Sequence, residues 1–243
     1  MARFAEAGHP GIWMRMMRVA VEQGCGEAPT LEAAAQGTVK GIYEQFIESL
    51  VLVRLFATIP YGDLPPAIQV SARDLAAQPL ADSTPVLTLL GTYGTEELWR
   101  DRRGSRGHAG VPLVSAAFIS SIPMMARVLE ELGVDLKTFD AADRQPFVEA
   151  GLFKSGAFHV PDATTTTDAR GRKIITAQDF VQRHQVGTVF GAGVAFLGTT
   201  TMATLICFTR DQLDAEVSQA ALTALSQFRA LTQPLVNGRK LLA

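Results

Sequence analysis

Residues 188–210 read TVFGAGVAFLGTTTMATLICFTR, and this stretch decides the fold. Its two halves, Thr188–Leu197 and Thr200–Arg210, are rich in the β-branched and aromatic side chains that suit a pleated, half-buried surface. Gly198-Thr199 lies between them, so the halves predict an antiparallel hairpin. Gly191 and Gly193 weaken the first half as a strand and imply a bulge or a close approach by another group.

Upstream, Leu50–Phe56 (LVLVRLF) is a nearly continuous apolar run, too short for a helix, and predicts a central strand. Pro85–Thr92 predicts a second strand and Ala157–Val160 a short one. Helices precede and separate them. Over residues 10–24, Ile12, Trp13, Met16, Met17 and Ala20 form an apolar stripe ended by Gly24 and Gly26. Thr30 caps a second helix whose Leu31, Ala35, Thr38, Ile42 and Phe46 share a face. Pro65-Pro66 opens a helix to about Ala77, because proline suits the first turn.

Glu96–Gly110 reads as a short helix running into a loop. Ser115–Leu132 reads as helical, with a start or kink at Pro123. Asp140–Gly156 supports no single reading, and Pro161–Lys173 is a surface loop. Asp214–Thr232 carries Val217, Ala221, Ala224, Leu225, Phe228 and Leu231 on one stripe, stopped by Pro234 and Asn237-Gly238. This succession predicts one α+β domain over residues 1–243, built around a mostly antiparallel sheet.

Composition agrees with a packed globular chain: 47% of the 243 residues are hydrophobic and 19% charged. A net charge of −2 offers no bulk attraction for nucleic acid or an anionic membrane. Two cysteines, Cys25 and Cys207, exclude a disulfide framework; reduced thiols are expected, with one disulfide left open. The apolar stretch Ile12–Val21 is interrupted by Arg15 and Arg18, so it is no signal peptide. No run approaches the roughly 18 apolar residues that span a bilayer. The expectation is a cytoplasmic protein that engages neither membrane nor nucleic acid.

The order of elements resembles the GAF fold, whose sheet is flanked by N- and C-terminal helices. LVRLFATIPYGDLPPAIQ (Leu52–Gln69), ELWRDRRGSRGHAGVPL (Glu97–Leu113), AFHVPDA (Ala157–Ala163) and Val186–Arg210 also resemble a GAF-like family of sensor-input domains found N-terminal to bacterial histidine kinases. The resemblance spans Ile12 to Leu235 and implies a GAF/PAS-like antiparallel sheet. It further implies signal input by ligand or partner binding without turnover. With the sequence ending at Ala243, the expectation is a stand-alone sensor or an input domain cut from a longer protein. The run of four threonines departs from the family's usual stretch there.

Trp99, Arg102, Arg103, Arg106 and His108 form the densest cluster of candidate binding residues. Arginine's planar fork pairs bidentately with carboxylate or phosphate, and the interspersed glycines let backbone N–H groups turn toward an anion. A solvated basic loop paired to Asp101 and Glu97 is the competing reading. His108 and His159 could switch charge near neutral pH, bond a ligand, or bind a metal or haem iron; a structural hydrogen bond is the plainer role. There is no zinc-type Cys or His spacing, no Gly-x-Ser-x-Gly around Ser105, and no third glycine after Gly191-x-Gly193.

The sequence therefore predicts a non-catalytic sensor whose pocket lies between one sheet face, Trp99–Leu113 and Ala157–Pro161. Its ligand is a small molecule, anionic if the arginines bind it, and no cofactor is identified. The partners expected are a signalling protein such as a histidine kinase and a second copy of the chain, packed through the terminal helices. A ligand-free interaction module, a haem or metal sensor using His108 or His159, and an enzyme acting on an anionic substrate are the alternatives.

Overall fold

The computed structural model describes residues 3–4, 8–104, 109–140 and 155–243. Helix α1 (Pro10–Cys25) begins on its proline, with the His9 ring accepting from the Gly11 N–H. Helix α2 (Leu31–Gln45) begins after Thr30, whose hydroxyl accepts from Ala33 N–H at 3.2 Å. Then come β1 (Leu50–Pro60), a 3-10 turn, α3 (Pro66–Ala76) and β2 (Pro85–Gly94). Two 3-10 turns, Glu97–Trp99 and Arg102–Gly104, lead to β3 (Gly110–Pro112), α4 (Ala116–Ser120) and α5 (Pro123–Glu131). β4 (Gly156–Val160), α6 (Gln178–His184), β5 (Thr188–Ala195), β6 (Met202–Thr209) and α7 (Glu216–Asn237) complete the chain.

The strands form one antiparallel sheet in the order β3-β2-β1-β6-β5-β4. Side chains alternate across it with the period of two that a pleated strand imposes. Val53, Leu55, Phe190, Ala192, Leu205 and Cys207 face one way, into a core closed by α1, α2 and α7. Leu52, Phe56, Val189, Ile206 and Phe208 face the other way, toward α4, α5 and α6. This is the expected α+β arrangement of an antiparallel sheet flanked by N- and C-terminal helices.

Several local expectations need correction. The hairpin loop spans residues 196–201 rather than two, because Phe196 N–H bonds Thr201 C=O and Gly198 takes a left-handed φ of +66° inside that closure. Pro234 does not stop α7. It lies in the last turn, and burial of Val236 with a bond from Lys240 N–H to Leu235 C=O holds that turn closed. Leu231 is 47% exposed and lies outside the buried stripe. Residues 97–104 are 3-10 turns instead of a helix, and Pro123 starts α5 after a separate α4. β3 and α6 went unforeseen. Most of Asp140–Gly156, residues 141–154, lies outside the described residues.

The glycine pair of β5 is a close approach, one of the two expected alternatives. A β-carbon on Gly191 would sit 2.0 Å from the Leu205 carbonyl oxygen and 2.6 Å from the Phe158 ring; on Gly193 it would sit 2.3 Å from the Leu132 side chain. Gly191→Ala should therefore destabilise the protein by about 3 kcal/mol, against about 1 kcal/mol for Gly193→Ala, where a side chain rather than backbone must yield. Urea denaturation of both variants checks the order; equal midpoints would show that the Gly191 contact can relax.

Candidate functional site

The second face of the sheet is not filled throughout. Leu52, Arg54 and Phe56 of β1 and Met202, Thr204, Ile206 and Phe208 of β6 form the floor of a cavity of about 310 Å³. Its other walls come from Ile122–Leu129, chiefly α5, from Ile174–Ala177 and Phe180, and from Trp99 and Val111. The volume is at the small end of the range for small-molecule pockets, about 300–1,000 Å³. Aromatic contacts hold one wall: Trp99 meets Phe180 and His184 edge-on at 5.6 and 4.9 Å, and Phe180 meets Phe208 at 5.4 Å. Burial lowers the pKa of His184 by more than the charge of Glu96 raises it, so the ring is neutral at pH 7.

Arg54 is the one ionisable side chain among the described residues of the lining. It is half-buried in the central strand, and burial lowers its pKa to about 10, which still leaves a cation at neutral pH. Thr92 lies directly opposite on β2, and Thr204 lies diagonally on β6, where Ile206 is the direct partner. Both threonines are buried, and the hydroxyl oxygen of each has no hydrogen-bond partner among the described residues.

The candidates read from the sequence are distributed differently. Trp99 lines the cavity. Arg102 instead makes a two-pronged pair with Glu32 at the start of α2, Nε and Nη2 lying 2.5 and 2.9 Å from its two oxygens. Arg103 is largely exposed, 3.5 Å from Glu32 and 3.7 Å from Asp101. Arg106 and His108 lie outside the described residues. His159 alternates with Phe158 and Val160 and so points to the α7 side of the sheet, where its ring N–H donates to the C=O of Leu213, ahead of that helix, at 2.9 Å. The segment Ala157–Pro161 contributes nothing to the described lining, whereas Val111 of Trp99–Leu113 does.

Sequence reasoning did not single out Arg54, Thr204 or Phe180. The available signal for the first was a lone charge inside LVLVRLF, which periodicity counting passes over. Met124 and Met125, read as packing residues, line the cavity. Among the described residues no group of three or more His, Cys, Asp and Glu side chains is placed to hold a metal. Cys25 and Cys207 are free thiols; burial raises the pKa of both, Cys25 to about 11. No described helix is long and apolar enough to cross a membrane.

Glu32 ties the arginine turns to the end of the chain. Leu31 and Glu32 donate their N–H groups to the Lys240 and Leu241 carbonyls at 2.8 and 2.9 Å, satisfying donors that a helix start leaves open. The Glu32 carboxylate accepts Ala243 N–H at 3.0 Å besides Arg102. Gln36, one turn along α2, bonds the Thr92 backbone at both N–H and C=O and the Arg100 carbonyl. Turn, helix and tail are thus one hydrogen-bonded unit.

No family model matches the chain, and no curated protein matches it. Among solved structures it is similar to the phycoerythrobilin-bound GAF domain of a cyanobacterial phytochrome, with 10% identity and a TM-score of 0.48 over 95% of this chain and 98% of that one. It is also similar to the chromophore-binding domain of an unusual bacteriophytochrome from R. palustris, with 10% identity and a TM-score of 0.45 over 94% of this chain and 63% of that one.

Burial works to raise the Glu32 pKa; the bonds from Arg102 and Ala243 and the charges of Arg102 and Arg103 outweigh it and hold the carboxyl below its usual range. A depressed carboxylate contributes stability that is present above its unfolded pKa and disappears as pH falls through the folded value. Glu32→Gln should then cost about 2 kcal/mol at pH 7, and the gap should narrow below about pH 4. Denaturant melts of both proteins from pH 7 to pH 3 test this; a gap independent of pH would mean the charge of Glu32 contributes nothing.

Proposed function

We propose that this protein is a non-catalytic, cytoplasmic sensor domain that binds a small molecule between its sheet and α5–α6 and relays occupancy to a signalling partner. The cavity of about 310 Å³ is the supporting observation. An interaction module without a ligand would fill that space with its own side chains, and the described residues leave it open. The described lining residues are mostly apolar, with Arg54, Trp99, Thr176 and Thr204 the ones that carry polar side-chain groups, the composition usual for a small-molecule pocket. A haem or metal reading through His159 is disfavoured by the bond from its ring to Leu213 on the opposite sheet face.

The relay runs from Trp99 in the cavity wall through the adjoining turn to Arg102, Glu32 and the Lys240–Ala243 tail. Ligand shifts that unit only if it binds two positions of the Trp99 turn unequally. A histidine kinase is the partner that the family resemblance favours. A second copy of the chain would pack on Ile12 and Val19 of α1, seven residues apart and so on one stripe, and Leu231 of α7, which are 41%, 38% and 47% exposed.

Native against denaturing mass spectrometry of freshly purified protein, with an absorption spectrum, tests the first part. An added mass lost on denaturation is expected, and Val128→Trp, which fills the cavity, should remove it. An added mass unchanged in Val128→Trp would place the ligand elsewhere. For the second part, light scattering at micromolar protein should give a dimer mass that Val19→Glu with Leu231→Glu converts to a monomer; a monomeric wild type would end the dimer proposal.

A further inference from the structure

We infer that the cavity takes an uncharged, apolar ligand of one or two rings. This rests on the reading of the cavity as the ligand site and narrows the class of molecule that fits it. The shape of the ligand follows from the walls. Phe56, Phe180 and Phe208, with Met124 and Met125, offer flat and adaptable apolar surface. An apolar cavity of roughly 150 Å³ stays dry and takes up benzene. At about 310 Å³ this one has room for a second ring or a short side chain.

The lack of charge follows from what the lining can offer a charged group. An ion that leaves water for an apolar site loses its hydration and has to be paired there. A cation finds no such partner: the described lining holds no aspartate or glutamate, and its one ionisable residue, Arg54, carries the same sign. For an anion, Arg54 is not held in reserve, because it is already engaged within the protein. Thr204 adds nothing, since its hydroxyl oxygen is buried and has no surface to offer the cavity. Thr176 and Trp99 remain, one hydroxyl and one indole N–H, which can orient a neutral molecule but cannot replace the hydration of an ion. What a ligand meets along the described lining is therefore apolar surface, and binding gains chiefly from removing apolar surface from water.

Three probes of nearly one shape, titrated by calorimetry at neutral pH, test this: propylbenzene, the anion 3-phenylpropionate and the cation 3-phenylpropylammonium. Propylbenzene should bind the wild-type protein on the order of tenfold more tightly than either ion. Val128→Trp, which fills the cavity, should abolish that binding. Met124→Trp, at a half-buried position of the wall, should weaken it severalfold and carries the same test if Val128→Trp does not fold. An ion that binds as tightly as propylbenzene, and is lost in the tryptophan variants, would overturn the uncharged class while leaving the cavity as a ligand site. Propylbenzene binding that neither variant weakens would overturn its placement in the cavity. If none of the three probes binds, this inference falls alone, because an added mass lost in Val128→Trp decides the ligand site separately.

Discussion

β1 is hydrogen-bonded along both edges, to β2 and to β6, and covered on both faces, and the rest of the molecule is arranged around that confinement. A strand so placed would be expected to carry apolar side chains throughout. It does on the helical side, where Val53, Leu55, Ala57 and Ile59 are fully buried. On the other side it carries Arg54 between Leu52 and Phe56, and a guanidinium there is tolerable only if polar groups or solvent reach it. Arg54 lines the cavity that opens on that side. One residue of the central strand therefore links the packing of the sheet to the chemistry of the candidate site.

The two faces divide the work. On the first, α1, α2 and α7 close a continuous core in which Phe4 stacks on Phe46 at 4.1 Å and meets Phe190 edge-on at 5.7 Å. That face is rigid because it is filled. The second is closed by short helices and turns, so its walls depend on fewer apolar contacts, and such regions open at lower cost. Glu32 connects the two: it belongs to α2 on the filled side yet holds Arg102, three residues beyond the cavity-lining Trp99. A change at the cavity wall can reach the tail through hydrogen bonds without disturbing the filled core.

What the sequence disclosed follows the range of the interactions involved. The strands, the Thr30 cap and the α2 stripe are local, and their residues appear where period and capping chemistry put them. Pro234 misled because its effect depends on what buries the last turn of α7, which is tertiary information. The three residues of β3 and seven of α6 are too short for any period to register. At the site, Trp99 was legible as an aromatic beside the arginines. The fate of Arg102 was not, because Glu32 lies 70 residues away in sequence. His159 drew attention as a histidine in a recognisable segment, but strand alternation with Phe158 and Val160 turns it toward α7.

Why the cavity opens over β1 and β6 and not over β5 can be read from the same alternation. On this face β5 presents Gly191 and Gly193, and the missing side chains let the Phe158 ring and Leu132 settle directly on its backbone. That half of the face is therefore packed to contact by its neighbours. Over β1 and β6 the corresponding positions hold Phe56, Ile206 and Phe208, whose bulk keeps α5 and residues 174–180 away from the strands. The space left between those side chains cannot be closed by the backbone, and it falls where Arg54 and Thr204 project. Large residues on one pair of strands and none on the next thus set both the place of the cavity and the polar groups at its floor.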